Sequence, residues 1–226
     1  MGPSTGYIVN ILSIVLIDVL LAGDNAVVIA MAAKSLPAND RRLGIAVGAG
    51  GAVVLRIALT FFAARLLQMN YIKFAGGALV IWIAVKLLAD ASDDVDGDVP
   101  ARGIWHAVWL ILVADLTMSV DNILAVAAAS NGNLPLLIFG LGLSIPFVIF
   151  ASNLLAGLMD RYPVIVYLGA AILGRIGGEM MIGDPWIVNL IHPDSTLRIG
   201  AEVFFAVAVV IAGWLLAKKN KVLRAE

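Results

Sequence analysis

The stretch "LIDVLLAGDNAVVIA" at residues 16–30 is strongly apolar, yet it carries Asp18, Asp24 and Asn25. Two carboxylates and an amide stand where a membrane helix would hold only hydrocarbon. A second copy of the stretch lies further along the chain. "IDVLLAGDNAVVIAMAA" at 17–33 aligns with "ADLTMSVDNILAVAAAS" at 114–130, an offset of 97. Asp18, Asp24 and Asn25 fall on Asp115, Asp121 and Asn122. The alternative is that apolar helices rich in small residues resemble one another by composition. Three polar residues at identical spacing speak against it.

The copies extend outward into halves. "FAGGALVIWIAVK" at 74–86 aligns with "YLGAAILGRIGGE" at 167–179, an offset of 93, which sets Lys86 opposite Glu179. At offset 97 Arg56 stands opposite Asn153, a weaker correspondence. A membrane span needs about 20 mainly apolar residues. Seven segments qualify, near 7–33, 43–67, 71–90, 104–130, 134–159, 163–182 and 199–217. Each half then holds three spans, so the second copy enters the membrane from the opposite side. The expected fold is all-α and polytopic, with seven transmembrane helices in an inverted 3+3 repeat plus one C-terminal helix. Its parts are a first repeat at 1–90, an acidic linker at 91–103, a second repeat at 104–183, and the seventh helix with a basic tail at 184–226. Inverted repeats of this kind are typical of transporters, with the site near the midplane between the halves.

Composition agrees with a bilayer as the partner. The 226 residues are 62% hydrophobic and 14% charged, with a mean hydropathy of +1.00. Soluble domains are roughly 25% charged, and no soluble chain of this size could hide so much apolar surface. Helices are expected rather than a barrel, because the apolar runs are unbroken. A net charge of −1 offers no basic surface for nucleic acid. The absence of cysteine excludes disulfides, thiolate metal sites and thiol catalysis. The N-terminal "MGPSTGYIVN" lacks the positive region of a cleaved signal, so the first apolar segment is expected to remain as a span. No nucleophile–base constellation suggests an enzyme. The seventh span has no Lys for a retinal Schiff base.

Positive charges set the expected orientation. With the N-terminus outside, the inner segments hold Lys34, Arg41, Arg42, Arg102, Arg161, Lys218, Lys219, Lys221 and Arg224, and the outer ones Arg65, Lys73 and Arg198, nine against three. The linker "DASDDVDGDVP" at 90–100 would lie inside. A calcium-loop template begun at Ser92 puts Gly103 where a Glu is required, so the run reads as a solvated linker, with weak cation sensing as the other reading.

A charge at the bilayer centre costs at least about 2.5–3.5 kcal/mol, so such residues face a partner or a water-filled cavity. Asp18, Asp24, Asp115 and Asp121, with Asn25 and Asn122, form an all-oxygen set suited to a hard divalent cation such as Mn²⁺, Mg²⁺ or Ca²⁺. Affinity order alone would favour copper or zinc at an unselective oxygen site, so the ligands do not name the ion. On a regular helix Asp18 and Asn25 share a face while Asp24 points roughly 120° away. Helix breaks at 22–25 and 119–122, near Gly23, Thr117 and Ser119, are therefore expected to bring the groups together. The other reading is internal ion pairing: Arg56, Lys86 and Arg175 hold the acidic groups, with Lys86–Glu179 as a repeat-related pair. His106 and His192 sit at interfaces and read as structural. Glycines at 48–51, 75–78 and 140–142 read as packing surfaces, and Pro146 as a kink in the fifth span.

"LLAGDNAVVIAMAAKSLP" and "LTMSVDNILAVAAAS", with the acidic linker between them, resemble the TerC family of bacterial integral membrane proteins in its short seven-span form. The resemblance spans nearly the whole chain. That family is grouped with LysE-type exporters, takes its name from tellurium resistance, and includes members implicated in manganese efflux. The resemblance implies a bare membrane module in the bacterial cytoplasmic (inner) membrane. It implies export of Mn²⁺ or another hard divalent cation as substrate, with no permanently bound cofactor and protons as the candidate counter-ion. The implied ligands are Asp18, Asp24, Asn25, Asp115, Asp121 and Asn122, and neither Asp-Asn pair departs from the motif. Two other functions stay open at this point. One is export of amino acids or small solutes, whose carboxylates Arg56 and Arg175 would hold. The other is a non-transporting scaffold in tellurite or stress resistance, docking through the acidic linker and the tail "KKNKVLRAE" at 218–226. That tail reads equally as an anchor beside anionic lipid. A homo-oligomer is left open as well.

Overall fold

The computed structural model describes residues 15, 23–34, 36–60, 71–93, 103–130 and 134–225. Among these, every regular element is helical. The helices are α1 (23–34), α2 (Ala38–Thr60), α3 (Ile72–Asp93), α4 (Ile104–Ser130), α5 (Leu134–Arg161), α6 (Val164–Ile182), α7 (Pro185–Ile191) and α8 (Ser195–Ala225). Five stretches are long and apolar enough to cross a membrane: Asn39–Thr60, Ile72–Ala91, Pro135–Arg161, Val164–Ile182 and Ser195–Lys219. A sixth apolar helical stretch, Ile104–Ser119, is shorter. The chain is thus an all-helical polytopic membrane protein. Most of the expected span at 7–33 lies outside the described residues, as does the linker from 94 to 102.

The ends of these elements follow from local chemistry. Asp184 caps α7 by accepting from Trp186 N at 2.9 Å, and Pro185 fills the first helical position, where its missing N–H costs nothing. His192 ends α7 in the left-handed region, at φ 46°. Asp194 caps α8 by accepting from Leu197 N at 2.8 Å. Helix α8 runs on through the basic segment to Ala225. Within α5 the helix passes Pro146 without interruption.

Helices α3, α6 and α8 pack together on one side, and α2, α4 and α5 on the other. Small residues set the first group's spacing. A Cβ on Gly77 of α3 would collide with the Gly177 carbonyl oxygen of α6, and one on Gly177 would stand 2.9 Å from the Gly77 oxygen. Gly174 and Gly178, one turn apart on α6, meet Phe205 and Ala201 of α8 in the same way. Close backbone approach of this kind is how helices associate in lipid, where no hydrophobic drive pushes them together. The outer faces are apolar: Val203, Phe204, Val207, Ile211 and Trp214 of α8 are all exposed, as a lipid-facing helix requires. The core runs through α1, whose residues 25–33 are all buried. Val27 and Met31 of α1 touch the Gly169 position of α6.

Candidate functional site

A buried pair of opposite charges lies between α2 and α4. Along α2, Ala49, Ala52, Val53 and Arg56 share a face at helical spacing. The last of these sends its guanidinium into α4. Arg56 Nη2 donates to Asp115 Oδ1 at 2.6 Å, and Arg56 Nε donates to Ser119 Oγ at 3.1 Å. Ser119 Oγ in turn donates to Asp115 Oδ2 at 3.1 Å, one turn back along its own helix. Arg56 is 3% exposed, Asp115 5% and Ser119 0%. The three groups close a ring in which both carboxylate oxygens have donors.

Beside that ring lies a cavity of about 20 Å³, room for roughly one water molecule. Its walls come from four helices: Asn25 and Ile29 of α1, the α2 face ending in Arg56, Asp115 of α4, and Ile145 with Val148 of α5. Asn25 is 5% exposed. Its Oδ1 is buried and, among the described residues, accepts no hydrogen bond. An unpartnered buried amide oxygen carries a desolvation cost of about 1–3 kcal/mol, and such groups call for an explanation in a native structure. Asp24, the preceding residue, is half-buried. Arg175 Nη1 stands 3.3 Å from Glu202 Oε2 of α8 and 3.9 Å from Glu179 Oε2, one turn along α6.

The structure brings Asn25, Arg56 and Asp115 to one cavity and gathers Arg175 with Glu179. It does not bring Lys86 to Glu179. Lys86 Nζ lies 5.0 Å over the Trp82 ring instead. The reason is register. Helices α3 and α6 are antiparallel, with Gly77 level with Gly177. Lys86 and Glu179 therefore diverge in opposite directions, to roughly 16 Å apart along the bundle at 1.5 Å per residue. The expected helix break at 119–122 is also overturned, since α4 is continuous from Ile104 to Ser130. Its hydroxyls are used within the helix: Thr117 Oγ1 donates to Ala114 O at 2.8 Å, and Ser119 bridges Arg56 and Asp115. Residues 23–25 are helical too, and residue 22 lies outside the described residues. Asp18 lies outside them as well. Asp121 and Asn122 have a helical backbone, and their side chains are outside the description. Among the described residues, no three His, Cys, Asp or Glu side chains group closely enough to hold a metal.

Sequence reasoning missed two polar clusters at opposite ends of the bundle. At one, the fully buried Asp184 carboxylate accepts from Tyr71 N at 3.2 Å and Phe74 N at 3.1 Å besides capping α7. The Asp-Pro pair at 184–185 was the available signal for a helix start. At the other, Arg41 of α2 pairs with Asp160 of α5 and donates to the Lys34 carbonyl at 3.3 Å, while Lys34 Nζ reaches the Ala91 carbonyl at 3.2 Å. Nothing local in the sequence marks those partners, which are far apart along the chain.

Comparison with known proteins agrees with this architecture. The profile of the integral membrane protein TerC family matches residues 4–221. The chain is 35% identical to the uncharacterized membrane protein YjbE of Bacillus subtilis over 206 residues, covering 91% of this chain and 94% of the relative. It is 29% identical to the uncharacterized membrane protein YceF of the same organism, covering 88% and 79%. It is 20% identical to the inner membrane protein YgdQ of Escherichia coli, covering 92% of each. No solved structure matches the chain.

Proposed function

The chain belongs to the TerC family of integral membrane proteins, and from that premise we propose that it exports a hard divalent cation, Mn²⁺ foremost, across a bacterial cytoplasmic membrane. The observation that carries this reading is the Asn25 oxygen, buried and without a donor, facing one cavity with the Asp115 carboxylate. A buried oxygen with an open acceptor position beside a cavity is a place where a cation can bind. With no cysteine in the chain, the donors on offer are oxygens, which suit Mn²⁺, Mg²⁺ or Ca²⁺. In this reading Asp24 and Asn25 supply one copy of the motif and Asp121 and Asn122 the other, with Asp18 and Asp115 as further ligands or proton carriers.

The inverted repeat of three plus three helices, with a seventh appended, belongs to the same proposal. It is supported by the antiparallel contact of α3 with α6, each the third helix of its half. Gly77 and Gly177 meet there, and their repeat equivalents Ala170 and Ala84 are fully buried as well. The two halves would rock about the site, with N-terminus out and C-terminus in. The Arg41–Asp160 end of the bundle would then face the cytoplasm and the Asp184 end the outside. Export of an amino acid fits less well, because the cations it would need, Arg56 and Arg175, already hold carboxylates.

The test is the manganese content and manganese tolerance of cells expressing equal amounts of wild type, Asp24→Asn or Asp121→Asn. Wild type should lower cellular Mn and raise tolerance, and either substitution should abolish both effects. Equal tolerance in all three strains would sink the reading.

A further inference from the structure

A cation site inside a membrane has to be neutral when its cargo is absent. An unpaired carboxylate at that depth is costly, and so is an unpaired guanidinium. The ring between α2 and α4 meets that requirement with a residue of the chain. We propose that Arg56 is a tethered counter-cation, holding Asp115 while the site is empty and yielding it when the metal binds. Metal and guanidinium then compete for one carboxylate. The proposal rests on the cation-export reading above and adds the residue that resets the site.

Three features support it. First, both oxygens of Asp115 accept from protein donors, Oδ1 from Arg56 Nη2 and Oδ2 from Ser119 Oγ, so a metal ion ligating this carboxylate would meet the positive charge of the guanidinium beside it. Second, the adjoining cavity of about 20 Å³ holds no more than one water or a bare ion. A divalent cation arriving there sheds its water and needs protein oxygens, of which Asn25 Oδ1 is already free and Asp115 is the charged one. Third, the guanidinium has a second anchor. Its Nε is anchored separately on Ser119, and the face of α2 beneath it is built of Ala49, Ala52 and Val53. The Nη2 contact can open while the Nε contact persists. Arginine suits this task because it stays protonated at any physiological pH and cannot escape the competition by losing its proton.

A purely structural ion pair predicts the opposite response to substitution. If Arg56 only holds the bundle together, removing it weakens everything, metal binding included. If it competes with metal, removing it strengthens metal binding while slowing release. The experiment uses the full-length purified chain. Mn²⁺ binding is followed by loss of the free-ion electron paramagnetic resonance signal, and thermal unfolding is measured with and without Mn²⁺. Arg56→Gln should bind Mn²⁺ about tenfold more tightly than wild type, within the usual range for coupled binding events. Its melting temperature should be lower without metal and rise more on adding Mn²⁺ than that of wild type. Transport by this variant in liposomes should be slower despite the tighter binding. Arg56→Lys retains the charge but loses the fork, and should bind Mn²⁺ more tightly by a smaller factor; it keeps the test decisive if Arg56→Gln does not fold. The paired replacement Arg56→Met with Asp115→Leu removes both charges and should lose the Mn²⁺-dependent rise in melting temperature. Affinity unchanged or weaker in the Arg56 variants, beside a wild type that binds, overturns the role of Arg56 alone. A wild type that binds no Mn²⁺ overturns the function reading with it.

Discussion

Arg56 and Arg175 both hold acidic partners across helices, and their surroundings could hardly differ more. Arg56 and Asp115 have side chains 4% and 6% exposed, with a hydroxyl closing the ring. Arg175, Glu179 and Glu202 have side chains 48%, 59% and 21% exposed, at longer contacts of 3.3 and 3.9 Å. The same charge chemistry therefore has two meanings. In the first place neither charge can survive alone, so the pair is a coupled unit and changes to one member are felt by the other. In the second each charge has solvent or a spare partner to fall back on, so the contacts steer and screen more than they hold. The buried pair borders the cavity that Asn25 lines, and the open cluster stands between α6 and α8.

The sharpest way to break this contrast is Asp115→Ala. It removes the carboxylate from the Arg56 pair and should destabilise the chain by about 3–5 kcal/mol, the range for removing one member of a buried pair. Thermal or chemical unfolding in detergent should show it directly. A loss below roughly 1 kcal/mol would mean that water already reaches the pair. Next in size is Ser119→Ala, which leaves the ion pair in place but removes the hydroxyl from both partners. Hydrogen bonds to charged groups contribute about 1.5–3 kcal/mol. The same unfolding assay should place this variant between wild type and Asp115→Ala.

Much of the bundle could be read from the chain because hydropathy and helix length are set locally. The bounds of the spans expected at 71–90, 134–159 and 163–182 lie within three residues of those of α3, α5 and α6. What could not be read was lateral. The repeat offset set Lys86 opposite Glu179, yet the antiparallel register of α3 and α6 carries them apart. Thr117 and Ser119 looked like a helix break, because hydroxyls in membrane helices serve breaks and side-chain networks alike. Only the approach of Arg56 from α2 shows which use applies. Arg56 was visible as a charge within a span, but its partner was not. Its repeat counterpart Asn153 gives no hint, since Asn153 Nδ2 donates to the Ile149 carbonyl of its own helix at 2.8 Å. The two motif copies share a pattern of Asp and Asn, while the Arg56–Asp115 pair has no counterpart at Asn153.

The smallest expected effect sharpens the comparison most. Arg175 sits seven residues before the end of α6, roughly 10 Å along the helix from its terminus. A half-exposed charge at that depth must meet either lipid or water, and the two differ in what they do to its pairing with Glu202. A double-mutant cycle with Arg175→Gln, Glu202→Gln and the double variant isolates the pair. Charges facing lipid would be coupled as strongly as a buried pair. Charges facing a water-filled opening should be coupled by less than about 1 kcal/mol, as exposed pairs are. The second outcome is expected, because three charged side chains together between α6 and α8 are tolerable only where water solvates them. The Glu179 contact does not alter this, since an Arg preceding its Glu by four residues is the weaker helical orientation. A coupling above roughly 2 kcal/mol would erase the distinction between the two arginines and close off the α6–α8 side as a route for a hydrated ion.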